Sequence, residues 1–383
     1  MSNSARTPHF VTCAPGLEPL LHAELRALRL AKVERQVGGV YFEGDEGDAM
    51  RANLELRSAV RVLRRIARFP APDSDALYEG AQAIEWERYL APGATFVAAA
   101  HSRNSQLDHT LFVEQRVKDA VVDRLQAARG ERPSVDKDAP DLRVDVHLFR
   151  DRCTLALDTS GDSLHKRGWR VFQGKAPMSE TLAAAIVQLS GWDRRSPLVD
   201  PFCGSATLLI EAALLAADHA PGLHRKHFAF ESFPGFQAPR WEALKQAARE
   251  RVRPLPRLRL VGSDISEEIV AGARENCSAA GVLDNIELSV ANAAEFAPRR
   301  GWNGFVLANP PYGERIGEAQ KLMGLYRAFG ERLREFCAGY SVAVFSGNSD
   351  LAGEMERALG KPFTTRTPLL NGALECELLR ADI

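Results

Sequence analysis

Asn309, Pro310, Pro311 and Tyr312 follow directly on the apolar run Phe305-Val306-Leu307-Ala308, a pattern that predicts a buried strand ending in a rigid polar and aromatic loop. Proline fixes φ at about −65° and keeps the preceding residue out of the helical region, so Asn309 and Pro310 are held extended. Such a segment presents the Asn309 side-chain oxygen and the Pro310 carbonyl together, two acceptors suited to the two hydrogens of a planar amine. A conjugated amine is a poor nucleophile because its lone pair is delocalised into the ring. Acceptors gripping both hydrogens favour a pyramidal nitrogen and stabilise the positive charge developing on it. Tyr312 adds an aromatic face on which an extruded base can stack, worth about 1–3 kcal/mol. Taken alone, Pro-Pro-Tyr is also what a proline turn with a packed tyrosine looks like.

A second stretch, "DPFCGSAT" (200 to 207), places Asp200 and Gly204 where a short strand gives way to an apolar helix. Ligands of open α/β sheets sit beyond the carboxyl ends of the strands, where glycine lets the backbone approach them. One glycine and a carboxylate do not make a pyrophosphate site. They suit a cationic or hydroxyl-rich ligand, and S-adenosylmethionine carries an ammonium group, a sulfonium and ribose hydroxyls. Asp264, in "GSDIS" (262 to 266), ends the next strand, where an acid can accept both ribose hydroxyls. It is equally placed to cap a helix beginning near Ser266, and Gly204 could be an ordinary tight turn. Asn292 ends the third strand and could meet an adenine amine. Asp264 lies 64 residues beyond Asp200, well past the usual spacing of about 20. The excess, residues 218 to 257, is expected to cover the site or touch substrate.

The elements that position these residues form two regions. From "SPLVDPFCGSATLLIEAALLAA" (196 to 217) onward, strands expected at 258–264, 286–292, 304–309 and 340–346 alternate with helices. That alternation predicts a mostly parallel sheet covered on both faces. The first half reads as α+β: strands at 9–13, 38–44 and 94–100, helices at 16–30 and 110–128, and a hairpin over 142–160. The boundary is expected between 160 and 180.

Composition narrows the class. The chain has 383 residues, 45% hydrophobic and 26% charged, with a net charge of −1. No stretch approaches the roughly 20 apolar residues of a membrane span. The N-terminus lacks an apolar signal core, so the expectation is a cytoplasmic protein. Cys13, Cys153, Cys203, Cys277, Cys337 and Cys376 show no C-x-x-C pair, which argues against a structural metal or a disulfide framework. A near-neutral chain gives no global attraction for polyanions, so any nucleic-acid site must be a local patch.

"DPFCGSAT" with "NPPYGER" resembles the amino-group branch of class I S-adenosylmethionine-dependent methyltransferases. "LDTSGDSLHKRGWR" (157 to 170), "APMSETLAAAI" (176 to 186), "APGLHR" (220 to 225) and "PLLNGALECEL" (368 to 378) narrow the resemblance to the large-subunit (23S) ribosomal RNA guanine-N2 methyltransferases, over nearly the whole chain. It is similar to the N-terminal unit of the bifunctional members, and the sequence stops after that unit, so no fused second methyltransferase is expected. The resemblance implies an α/β fold: a Rossmann-like doubly wound methyltransferase domain preceded by an α+β ferredoxin-like/THUMP RNA-binding region. Its implied boundaries are a ferredoxin-like segment over 1–70 interleaved with a THUMP domain over 45–158, a linker over 159–178 and the catalytic domain over 179–383. "SRNSQLDHTLFVEQRVKDAVVDRL" (102 to 125) is similar to the THUMP helix region. By the same resemblance Asp200, Phe202, Gly204, Asp264, Asn292, Glu180 and Thr181 bind S-adenosylmethionine without metal, while Asn309, Pro310 and Tyr312 form the catalytic loop. Asn292 stands where the family usually has aspartate.

Two basic stretches are candidates for RNA. "RSAVRVLRRIARF" (57 to 69) holds five arginines, and "HKRGWR" (165 to 170) sets Lys166, Arg167 and Arg170 around Trp169, a possible stacking face. A charge run is as often a solvated face. Arg315 is a further phosphate candidate. The expected partner is 23S ribosomal RNA or a large-subunit precursor, with no membrane and no protein partner required. A transfer RNA guanine-N2 methyltransferase shares this architecture, and a non-catalytic RNA-binding protein or chaperone is the reading from another class. The loop chemistry fits guanine N2 and adenine N6 alike, both being conjugated amines; guanine comes from the resemblance. DNA adenine and protein glutamine methylation use the same tetrapeptide, but the RNA-binding half argues against both.

Overall fold

The computed structural model describes residues 6–174, 177–255, 257–313 and 318–383, which divide into two compact units. The first comprises residues 1–13, 21–164 and 225–246, and the second residues 14–20, 165–224 and 247–383.

The first unit carries β1 (Thr7–Cys13), the helix α1 (Glu18–Ala27) that begins in the other unit, β2 (Ala31–Gln36), β3 (Gly39–Gly44), α2 (Glu46–Glu55) and β4 (Ala59–Pro70). It continues with α3 (Ser74–Gln82), β5 (Phe96–Arg103), α4 (Thr110–Arg129), β6 (Leu142–Phe149) and β7 (Arg152–Asp158). All seven strands form one sheet, β2-β3-β1-β4-β7-β6-β5, antiparallel except where β5 runs beside β6. The 12-residue β4 is its spine. Its first part pairs with β1 and its later part with β7, and an extra residue between Arg65 and Ala67 shifts the register. Such a bulge bends and twists a strand. The residues read from sequence as an arginine patch therefore form a central strand, and β2, α2 and α3 add to the expected elements. The helix α4 presents Val113, Val117, Ala120, Val121 and Leu125 at helical spacing to the core and stops at Gly130, whose φ is +70°.

Residues 225–246 of the long insertion belong to this first unit. Phe228 and Phe230 pack edge-on against Trp241 at 5.4 and 5.0 Å. Arg225 donates to the carbonyls of Ser160, Asp162 and Ser163 at 3.2, 2.9 and 3.0 Å. Arg240 pairs with Asp45 at 2.8 Å. Its helix, α7 (Ala238–Glu250), leads back into the second unit.

The second unit contains α5 (Glu180–Leu189), β8 (Leu198–Asp200), α6 (Thr207–Ala216), β9 (Leu260–Asp264), α8 (Glu267–Ala279), β10 (Ile286–Val290) and β11 (Phe305–Ala308). It ends with α9 (Glu318–Phe336), β12 (Ser341–Ser346), α10 (Ser349–Leu359), β13 (Thr365–Asn371) and β14 (Leu374–Asp382). The strand order is β10-β9-β8-β11-β12-β14-β13, parallel from β10 to β12, with β14 antiparallel to both neighbours. The closing hairpin is an addition to the expected strands; it turns on Gly372-Ala373 with Gly372 at φ +63°. Residues of α6 are buried from Thr207 to Leu215, as a helix on a covered sheet face requires. Leu209 of that helix lies so close to Gly262 that a Cβ there would sit 2.6 Å from its side chain. No helix among the described residues is long and apolar enough to cross a membrane.

Candidate active site

At the carboxyl end of β8 the chain turns sharply into α6. Gly204 has φ +51°, and Ala206, at the N-cap of α6, has φ +64°, a costly conformation for a residue with a Cβ. The turn is held by the Cys203 amide donating to Ser263 at 2.9 Å and the Ala206 amide donating to Cys203 at 2.8 Å. A Cβ on Gly204 would meet no atom within 4 Å, so glycine serves the backbone angle and leaves the space before it open.

Asp200, Phe202, Gly204, Asp264 and Asn309 line one cleft of about 190 Å3, so the ends of β8, β9 and β11 converge. Asp200 is 1% exposed; its Oδ1 accepts from the Phe202 amide at 3.0 Å, while Oδ2 is buried with no partner among the described residues. Burial pushes its carboxyl up from 3.8 to about 8, against the Phe202 hydrogen bond and with a contribution from Asp264. A buried carboxyl with an orphaned oxygen beside a second acid is a group that a bound cation would favour in its ionised form. Asp264 Oδ1 accepts from the Ser266 amide at 3.0 Å, and Ser266 itself caps α8. Asp264 therefore steadies the N-cap residue rather than capping α8 itself, and this bond occupies one carboxylate oxygen.

At the end of β11 Asn309 is half-buried, Pro310 buried and Pro311 exposed. The Tyr326 hydroxyl donates to the Pro311 carbonyl at 3.1 Å and Asn348 Nδ2 to the Tyr312 carbonyl at 3.4 Å, tying the loop to α9 and to the start of α10. Tyr312 packs edge-on against Phe345 at 6.2 Å, and its hydroxyl donates to Asn309 Oδ1. Gly347 makes room: a Cβ there would lie 3.1 Å from the Tyr312 ring.

Other expected residues fall elsewhere. Glu180 and Thr181 open α5, and Glu180 receives Arg170 Nε at 2.8 Å; neither lines the cleft. Asn292 lies outside it too and accepts from the Ala294 amide at 3.0 Å. Trp169 is 1% exposed, so the expected stacking face is corrected to a core residue. Arg167, 2% exposed, faces the fully buried Glu211 at 3.5 Å, which removes it from a phosphate-contacting surface. Arg170 is engaged by Glu180, Ser205, Thr207 and the Met178 carbonyl, and acts as an internal tie. Lys166 is exposed and lines a 490 Å3 depression with His165 and Gln173. Arg315 lies outside the described residues.

Sequence reasoning missed Asn276. Fully buried on α8, it accepts from the Val171 and Phe172 amides at 2.8 and 2.9 Å and donates to the Phe172 and Ser205 carbonyls at 3.0 and 3.2 Å. One side chain thereby fastens residues 171–172 to the glycine turn. Gly272 completes the seat, because a Cβ there would sit 2.2 Å from the Phe172 ring.

A parallel sheet with a glycine turn after one strand, an acid after its neighbour and Asn-Pro-Pro-Tyr after a third defines a class I methyltransferase fold. Residues 167–379 match the RMKL-like methyltransferase domain family, residues 71–158 the THUMP domain and residues 9–63 the RlmL ferredoxin-like domain. The chain belongs to the RMKL-like methyltransferase family. It is 43% identical over 380 residues to the ribosomal RNA large subunit methyltransferase K/L of Methylococcus capsulatus, covering 98% of this chain and 51% of that protein. For the protein of that name from Syntrophotalea carbinolica the figures are 42%, 98% and 53%. The chain spans about half the length of these curated relatives. Among solved structures it is similar to a possible methylase from Clostridium difficile (TM-score 0.89, 33% identity, 99% of this chain and 98% of that one). It is also similar to SMU.472, a putative methyltransferase complexed with SAH (TM-score 0.89, 31% identity, 98% of each chain).

Proposed function

We propose that this chain transfers a methyl group from S-adenosylmethionine to the exocyclic N2 amine of a guanosine in 23S ribosomal RNA. The observation carrying this reading is the meeting of Asp200, Gly204, Asp264 and Asn309 around one cleft. The names of the large-subunit relatives support the RNA substrate, and the SAH-bound neighbour supports the cofactor.

The residues fit that cofactor: Asp200 offers a partnerless buried carboxylate to a cation, Gly204 leaves open space, and Asp264 retains an oxygen for hydroxyls. Bound there, S-adenosylmethionine supplies an electrophilic methyl on a sulfonium that is already an activated leaving group. The protein's part is to hold the amine. Asn309 Oδ1 accepts one amine hydrogen and the Pro310 carbonyl the other, so charge developing on the nitrogen meets fixed dipoles. Tyr312 gives the extruded base an aromatic wall. In this reading residues 45–158 form the THUMP module that engages RNA, and residues 179–383 perform the transfer.

The test incubates the protein with labelled cofactor and separate pools of ribosomal and transfer RNA from a strain lacking the gene, then maps the product by mass spectrometry. N2-methylguanosine in the large-subunit RNA is the expected product. Label confined to transfer RNA, methylation at adenine N6, or no turnover would each overturn the assignment.

A further inference from the structure

The first unit holds a cavity of about 220 Å3 lined by His9, Arg64, Tyr89, Phe230, Phe233 and Phe236 among others. Its chemistry is specific. His9 is 0% exposed and stacks on Phe42 with ring centroids 4.7 Å apart. His9 Nδ1 lies 3.0 Å from the Thr7 carbonyl, which can only accept, so the ring proton resides on Nδ1. Nε2 is then a bare lone pair, buried and without a donor among the described residues. Burial drives the pKa of this ring from 6.5 down to about 4, so it stays a neutral acceptor at physiological pH.

The surroundings fix what such an acceptor can receive. Phe230, Phe233, Phe236 and Tyr89 supply aromatic walls, and Arg64, 3.3 Å from Glu46 and 5.9 Å from the Tyr89 ring, places a guanidinium at the same cavity. Arg64 and Tyr89 also line an adjoining groove of about 430 Å3 with Arg65 and Arg68. The floor is set by a buried network in which Asn53 donates to Thr159 at 2.8 Å and receives Ser160 at 2.6 Å. A small aromatic slot with one orphaned acceptor, the Arg64 and Arg88 guanidiniums, the Glu46 carboxylate paired to Arg64 and an arginine-lined groove beside it fits a planar base attached to phosphates.

We propose that this cavity binds an unpaired, amine-bearing nucleobase, its exocyclic N–H donating to His9 Nε2, while Arg64, Arg65 and Arg68 follow the adjoining phosphates. The inference rests on the reading that the protein acts on RNA and adds a second base-binding site outside the methyl-transfer cleft.

The test measures fluorescence anisotropy with an oligouridine carrying one adenosine, the same oligomer with purine riboside or an abasic residue in its place, and free adenosine monophosphate. For the wild-type protein, removing the amine is expected to weaken binding about tenfold, the loss of one buried hydrogen bond. In His9→Phe, which keeps a ring against Phe42, the amine is expected to make no difference. If His9→Phe fails to fold, Phe233→Ala serves instead: the penalty for the abasic residue should shrink in that variant. An equal amine effect in wild type and His9→Phe, or none in wild type, overturns the inference. So does an unchanged abasic penalty in Phe233→Ala. Free adenosine monophosphate binding as tightly as the oligomer assigns the cavity to a nucleotide ligand and overturns the RNA version. A protein that binds every oligomer without an amine effect sinks this site alone; one that binds none sinks the RNA reading as well.

Discussion

The Tyr312 hydroxyl donates to the Asn309 side-chain oxygen, the same atom assigned to grip the substrate amine. A substrate amine therefore shares or competes for this oxygen with an internal donor. Tyr312→Phe removes that competitor and keeps the ring, and is expected to hold turnover within about threefold of wild type while lowering KM. Tyr312→Ala also loses the stacking face and should lose about 10–100-fold in kcat/KM, in line with about 1–3 kcal/mol per stacked base. Asn309→Ala should lose on the order of 100-fold or more in kcat with cofactor affinity unchanged. Steady-state kinetics and cofactor calorimetry separate the three, and wild-type turnover by Asn309→Ala would remove the two-acceptor mechanism.

With its carboxyl raised to about 8, Asp200 is largely protonated at neutral pH, and a cationic ligand should discharge it. Binding of S-adenosylmethionine at pH 7 is expected to release about one proton. Calorimetry in buffers of different ionisation enthalpy reads this directly, and a buffer-independent enthalpy would contradict it. The same shift sets a pH dependence of stability. The folded state keeps a proton that the unfolded chain loses above 3.8, so this contribution is complete below 3.8 and disappears as the pH rises through about 8. Asp200→Asn should gain stability over wild type across that window, level off above it and bind cofactor poorly.

Arg167 faces the fully buried Glu211 at 3.5 Å, and removing it takes a countercharge away from that carboxylate. Arg167→Ala is expected to cost about 3–5 kcal/mol in urea unfolding, with an unchanged salt slope for RNA binding by the folded fraction. Lys166→Ala should do the opposite, leaving stability alone and reducing the slope of log K against log salt by about one.

Asn276→Asp keeps the shape but turns two donated hydrogen bonds into contacts between oxygens. A loss on the order of 3 kcal/mol is expected in thermal unfolding, together with weaker cofactor binding, because the glycine turn loses its tie to residues 171–172. Intact cofactor affinity in a destabilised variant would restrict Asn276 to a structural role.

His9 titrates at 6.5 when unfolded and about 4 when folded, so between these values the unfolded chain holds the extra proton. Its contribution is fully present above 6.5 and is lost as the pH falls toward about 4. His9→Phe should flatten the stability profile over that interval, and an unaltered profile would mean that another group governs acid unfolding.

The methyltransferase strands were legible because each is a short apolar run ending in a residue whose type announces the strand's edge: Asp200, Asp264, Asn309. The spine strand was not, since Arg61, Arg64, Arg65 and Arg68 break the alternation that marks a half-buried strand. Arg167 is buried facing Glu211, supplied by a helix that local composition cannot pair with it. Asn276 reads as an ordinary polar position on a helix; its partners Val171 and Phe172 lie 105 and 104 residues away. His9 was seen only as part of a strand, because the orphaned Nε2 is created by tertiary neighbours that no spacing encodes.

Because β4 hydrogen-bonds to β1 on one side and β7 on the other, the ferredoxin-like and THUMP matches are halves of a single sheet. A cut near residue 70 would strand one half with an open edge, prone to pairing with other chains. The first unit should therefore melt as one cooperative block, and its THUMP half cannot be excised at the family boundary and kept monomeric.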